Sequence, residues 1–152
     1  MTDANLRELY QEIILDHSRH PRHFGSLEDA NRTAEGFNPL CGDKVKIDLV
    51  VDGDGRIAEI AFDGKGCAIS VASASLMSEM LDGRTIQEAD HLMRGFLELV
   101  KGGTSEKLNA DDQEYLEVMA GVSEFPMRVK CATLAWHAMK SALDGGGVAK
   151  TE

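Results

Sequence analysis

Strand patterning in this chain is confined to a single stretch. Val45, Ile47, Leu49 and Val51 alternate with Lys44, Lys46, Asp48 and Val50, a period of two that buries one face of a strand. Asp52-Gly53-Asp54-Gly55 follows as a hairpin signal, and Ala58, Ile60 and Phe62 form the buried face of the returning strand. A shorter segment near Ala34 to Phe37 leads into a loop at Cys41, which makes an antiparallel meander of three strands within residues 33–63. The rest of the chain reads as helix. Clustered strands flanked by helices give an α+β fold: a small antiparallel three-stranded sheet covered by helices.

The helices are set by 3.6-residue spacing and by their ends. Leu6, Leu9, Tyr10, Ile13, Ile14 and His17 form one stripe over residues 4–17, with Thr2 or Asp3 as cap and Pro21 beyond the end. Gly64-Lys65-Gly66-Cys67 opens a second helix reaching Leu81, rich in Ala and Ser, whose small side chains permit close approach to the sheet. Thr85-Ile86-Gln87-Glu88 is a capping box for a third helix, carrying Ala89, Leu92, Met93, Phe96, Leu97 and Val100 and stopped by Gly102-Gly103. A short helix is expected from Asp112 to Ala120. Pro126 suits the first turn of the last helix, which runs to Leu143 with two apolar stripes and is buried on most sides, Trp136 included. Residues 1–152 read as a single domain, with 1–3 and 145–152 as loose termini.

Composition excludes several partners. Acidic residues outnumber basic ones 26 to 16, for a net charge of −10, whereas nucleic-acid binding needs clustered Lys and Arg. No apolar run approaches the roughly 18 to 20 residues that span a bilayer. The N-terminus lacks the basic and apolar regions of a signal peptide, so the expected location is the cytoplasm. Gly64-Lys65-Gly66-Cys67 lacks the length and the Lys-Ser/Thr ending of a phosphate-binding loop. His17, His20 and His23 recur at intervals of three, but Ser18, Arg19 and Arg22 around them indicate a solvated helix end. His91 and His137 read as isolated surface or packing residues.

Three cysteines are too few for a disulfide framework and odd in number. Cys41 and Asp43 flank a glycine that lets the backbone turn both side chains toward one point. Cys67 begins a helix, where the dipole and free N–H groups favour thiolate. Cys131 lies in the first turns of the last helix after Arg128 and Lys130, cations with the same tendency. Zinc takes four tetrahedral ligands from such thiolates and accepts a carboxylate. Separations of 26 and 64 positions between the cysteines match no finger or ribbon with paired CxxC. On the residues alone, a Cys41–Asp43–Cys67–Cys131 site at one end of the fold stands beside the alternative of three small buried thiols.

Three motifs in order carry a resemblance: Asn38-Pro39-Leu40-Cys41-Gly42-Asp43, Gly64-Lys65-Gly66-Cys67-Ala68-Ile69-Ser70 running into Ala72-Ser73-Ala74-Ser75, and Arg128-Val129-Lys130-Cys131-Ala132. In these, and along most of its length from Leu9-Tyr10 to Ala135-Trp136, the chain resembles the U-type iron–sulfur cluster assembly proteins, and within them the SufU-type branch. Lys130 stands where the scaffold type carries histidine, and roughly Thr85 to Lys101 supplies a helical segment the scaffold type lacks. The resemblance implies a zinc site of Cys41, Asp43, Cys67 and Cys131. It also implies acceptance of persulfide sulfur by Cys41 from a SufS-type, PLP-dependent cysteine desulfurase, and delivery toward downstream Suf scaffold components. A partner side chain taking the place of Cys41 on the metal would free that thiolate to attack; Arg128 would orient or neutralise the site. Two other roles use the same ligands: a scaffold for a transient iron–sulfur cluster, and a purely structural zinc domain.

Overall fold

The computed structural model describes residues 3–102, 105–145 and 147–150; the cap expected from Thr2 lies outside them. Helix α1 spans Asp3–Arg19, followed by strands β1 (Arg32–Asn38), β2 (Asp43–Val51) and β3 (Ile57–Lys65). Next come α2 (Ala68–Leu81), α3 (Ile86–Gly102), α4 (Ala110–Leu116), a 3-10 helix at Glu117–Glu124, α5 (Pro126–Leu143) and strand β4 (Gly147–Lys150).

β1 and β2 pair antiparallel from Arg32↔Leu49 to Asn38↔Asp43, and β2 pairs antiparallel with β3 from Lys44↔Lys65 to Val51↔Ile57. The expected turn closes the second hairpin: the Asp52 carboxylate accepts from the Asp54 and Arg56 amides, and Gly55 adopts φ +78°. A register shift at Val50/Val51 changes the phase of the returning strand. Ile57 is therefore buried and Ala58 exposed, correcting the inward position expected for Ala58.

The tail is the second correction. Gly147–Lys150, expected to be loose, pairs parallel with β1 from Ala34↔Gly147 to Phe37↔Lys150, giving a sheet of order β3-β2-β1-β4. Four residues without alternation carry no strand signal of their own. The antiparallel meander leaves one edge of β1 unpaired, and α5 delivers the chain to it; the Arg32 guanidinium donates to the Leu143 carbonyl at 3.0 Å.

Helices α2 and α5 pack on one another and on one face of the sheet, while α1 packs against α2. Trp136 is fully buried and stacks on Phe96 with centroids 4.5 Å apart. The capping box closes reciprocally, Thr85 N–H to Glu88 Oε1 and Glu88 N–H to Thr85 Oγ1, both at 3.1 Å. The small residues of α2 admit its neighbouring helices as well as the sheet, and its serines make polar contacts at those seams. Ser73 Oγ donates to the Ala132 carbonyl and accepts from Trp136 Nε1. Ser78 donates to the carbonyls of Ser75 and Arg22.

The expectation of a solvated cluster at His17, His20 and His23 holds only in part. His17 is 6% exposed and its Nδ1 lies 2.7 Å from Ser75 Oγ. The helical stripe decides this: one turn beyond Ile13 and Ile14, position 17 still faces inward. Leu9, on the margin of that stripe, is 40% exposed.

Candidate metal centre

Three chain segments meet at one end of the sheet. The first is the connection between β1 and β2. Asn38 Oδ1 accepts from Leu40 N–H at 3.1 Å and the Asn38 carbonyl accepts from Gly42 N–H at 2.8 Å, which curls the loop back on itself. Gly42 takes φ +73°, a left-handed conformation that a β-carbon disfavours. The turn leaves Cys41 exposed and sends Asp43 into the protein, 2% exposed.

The second segment is the start of α2. Cys67 is its N-cap: the sulfur accepts from Ser70 N–H at 3.4 Å, as expected for a thiol at a helix N-terminus. Its own amide donates to Asp43 Oδ1 at 3.0 Å, fixing the carboxylate so that Oδ2 is left toward the sulfurs. Gly66 makes this approach possible; a β-carbon there would stand 3.0 Å from Asp43 Oδ1 and 3.1 Å from Ser70 Cβ. The third segment is α5, which brings the buried Cys131 to the same point.

Cys41 Sγ lies 3.2 Å from Asp43 Oδ2 and 3.5 Å from Cys131 Sγ. Donor atoms of Cys41, Asp43 and Cys131 all fall within 4.8 Å of one another. Cys67 stands at the margin of this group, its sulfur 3.7 Å from Asp43 Oδ2. A tetrahedral zinc shell with Zn–S of about 2.3 Å and Zn–O of about 2.0 Å has edges of about 3.8 Å between sulfurs and about 3.5 Å between sulfur and oxygen. The separations observed sit within a few tenths of an ångström of those edges. The donor set fits zinc, and it equally suits iron with sulfide, since thiolates serve both.

The electrostatics differ from expectation at Cys131. Burial, then hydrogen bonds with Cys41 and Asp43 and the charge of Cys67, push its thiol well above the usual range. The cations expected to favour thiolate do not offset this. Arg128 is exposed, with its guanidinium stacked 4.3 Å over the Phe125 ring, and it takes part in no ion pair among the described residues. A bound cation reverses this balance, because a coordinating thiol is held deprotonated.

Sequence reasoning passed over two contributors. Gly66 had no signal beyond its place in a Gly-rich loop entering a helix. Asn38 read only as part of the Cys41 motif, yet it is fully buried and its Nδ2 has no hydrogen-bond partner. Among the histidines, His91 bonds the Lys107 carbonyl at 2.7 Å and burial lowers the pKa of His137; neither belongs to the donor group.

The pattern of the NifU-like N-terminal domain matches residues 9–132. The chain belongs to the NifU-like N-terminal domain family. Its relatives carry two kinds of name. The zinc-dependent sulfurtransferase SufU of Bacillus subtilis is 39% identical over 150 residues, covering 99% of this chain and 96% of that one. The iron–sulfur cluster assembly scaffold protein IscU of Streptococcus pyogenes is 40% identical over 143 residues, 94% and 87% of the two chains. A crystal structure described as an iron–sulfur cluster assembly scaffold protein for the SUF system, from Fervidobacterium islandicum AW-1, superposes with a TM-score of 0.80 at 34% identity, covering 90% of this chain and 98% of its own. The α+β fold expected of a U-type protein is therefore the fold observed, with β4 added at its edge. No described helix is long and apolar enough to cross a membrane.

Proposed function

We propose that this member of the NifU-like N-terminal domain family is a zinc-dependent sulfurtransferase of iron–sulfur cluster biogenesis, working in the cytoplasm with a SufS-type cysteine desulfurase. The observation that carries the reading is the convergence of Cys41, Asp43 and Cys131 at tetrahedral spacings, with Cys67 against the same carboxylate. These four residues would hold the metal, and the metal would supply a positive charge that keeps the thiols deprotonated and quiet. The similarity to the zinc-dependent sulfurtransferase of Bacillus subtilis over nearly the whole length of both chains points the same way.

Cys41 is the acceptor. Of the two exposed thiols it is the one on a loop, since Cys67 caps α2 and its sulfur accepts from Ser70 N–H. Its thiolate bonds to the terminal sulfur of the desulfurase persulfide and the donor S–S bond breaks. The electron pair leaves with the donor cysteine as thiolate, and the transferred sulfur, with any proton it carries, remains as a persulfide on Cys41. Asp43, anchored through Oδ1 by the Cys67 amide, keeps its place while Cys41 departs. Arg128 is released from Phe125 to pair with the anionic sulfur or with an acidic group of the donor. Sulfur then passes to downstream Suf scaffold components.

The test is zinc content together with desulfurase turnover before and after chelation. About one zinc per chain is expected, with activation lost on chelation, restored by zinc, and absent in Cys41→Ala. A Cys41→Ala protein that still accelerates the desulfurase would refute the transfer role. The second reading, a scaffold for a transient iron–sulfur cluster, is favoured by the similarity to the IscU protein of Streptococcus pyogenes. Brown colour with stoichiometric iron and sulfide after anaerobic reconstitution, and activation indifferent to zinc, would select it.

A further inference from the structure

Asn38 is the one buried side chain among the described residues with a polar atom lacking a partner. Its carboxamide is half used: Oδ1 takes the Leu40 amide, while Nδ2, with two protons to give, has no acceptor. A buried amide donor left unpaired is costly, so a fold that keeps one calls for a physical reason.

The strand register and the packing of α5 define where it lies. Asn38 pairs with Asp43 across the end of the β1–β2 ladder and shares the inner sheet face with Ala34 and Gly36. Helix α5 runs against that face in the opposite direction. Arg32 meets Leu143 at one end, and a β-carbon on Gly36 would touch Leu134 and Ala138 in the middle. Two residues further along the strand, Asn38 faces the preceding turn of α5, the one that carries Cys131. The Asp43 oxygens are already engaged, Oδ1 by the Cys67 amide and Oδ2 by the Cys41 thiol. The sulfur of Cys131, carried on that turn, is a weak acceptor as a thiol and a good one as a metal-bound thiolate.

We infer that Asn38 is a positioning residue of the metal centre, its Nδ2 donating to the Cys131 thiolate in the metal-bound protein. This rests on the reading of Cys41, Asp43, Cys67 and Cys131 as ligands. The side chain thus couples loop and metal: one half of the amide holds the turn that presents Cys41, and the other half stabilises the one ligand sulfur that is fully inside. Outer-shell donors of this kind usually change metal affinity 10- to 100-fold when removed.

Asn38→Ala removes both halves of the amide. Asn38→Ser keeps an acceptor for the Leu40 amide, as serine does in such turns, and removes only the reach of Nδ2. Zinc affinity is measured by competition with a chromophoric chelator, and the thiolate-to-metal band is recorded on cobalt(II)-substituted protein, each after the variant is shown to be folded. Both variants should bind zinc at least tenfold more weakly, and the cobalt band should move to longer wavelength as the thiolate loses its donor. Asn38→Ser with wild-type affinity and an unshifted band would overturn the inference, with the wild-type protein still holding zinc and the metal reading intact. A wild-type protein that takes up neither zinc nor cobalt would instead remove the metal centre, and this role with it.

Discussion

Two polar clusters flank α2, and they differ in how completely they are satisfied. Along the body of the helix Ser73, Ser75, Ser78, His17 and Trp136 find partners in one another or in the backbone. At the N-terminus of the same helix, three thiols and a buried carboxylate crowd together and Asn38 Nδ2 is left over. A polar cluster that closes on itself ties helices together and needs nothing further. One that packs thiols against a buried carboxylate and leaves a spare donor beside them is not closed on itself. The difference marks the start of α2 as the place where the proposed metal would complete the cluster.

The largest test of this contrast is Asp43→Ala. It removes the donor that touches Cys41, Cys67 and the Cys67 amide together, so zinc content should fall from about one per chain to near zero. The melting temperature of the metal-free protein should move little, since the loss of a buried carboxylate among thiols offsets the lost bonds. Loss of the fold in the metal-free variant would show that the end of α2 is structural after all.

Ser73→Ala tests the closed cluster. It strands the Trp136 indole N–H, and an abandoned buried donor costs about 1–3 kcal/mol. Chemical denaturation should register that loss while zinc stoichiometry stays at the wild-type value. A fall in zinc content with unchanged stability would merge the two clusters into one.

The smallest effect is a pH dependence. Burial, and then the nearby Arg22 charge, lower the pKa of His17 below 6.5 against the opposing influence of Glu79 and Asp16. The unfolded chain therefore binds a proton that the folded chain refuses, and stability falls as pH drops below about 6.5, reaching its plateau above it. His137, lowered by burial and Lys101, adds in the same direction. His17→Gln should flatten the slope of melting temperature between pH 7 and 5 in metal-free protein; an unchanged slope would take the titration away from His17.

Much of this architecture was legible beforehand. The alternation from Lys44 to Val51, the Asp52–Gly55 turn and the Thr85–Glu88 capping box are local codes, and the structure honours each of them. What escaped was decided by tertiary geometry. β4 exists because β1 offers a free edge, and Ala58 turned outward because a register shift sits at Val50/Val51. At the site, residue types and spacing left a four-ligand site beside the alternative of three buried thiols, and the resemblance implied the former. Neither could tell that Arg128 would stack on Phe125, that burial would outweigh nearby cations at Cys131, or that Asn38 would be sealed in with an idle donor. Those are outcomes of packing between segments some 90 positions apart, such as Cys41 and Cys131.

The parallel pairing of β4 with β1 bears on the thiol loop. Lys150 lies opposite Phe37, and both strands run toward the Cys41 loop. The edge strand and the thiol loop therefore share the β1 ladder, and a substitution that loosens the pairing of β4 should raise amide exchange at Phe37 and Asn38, next to the loop that presents Cys41.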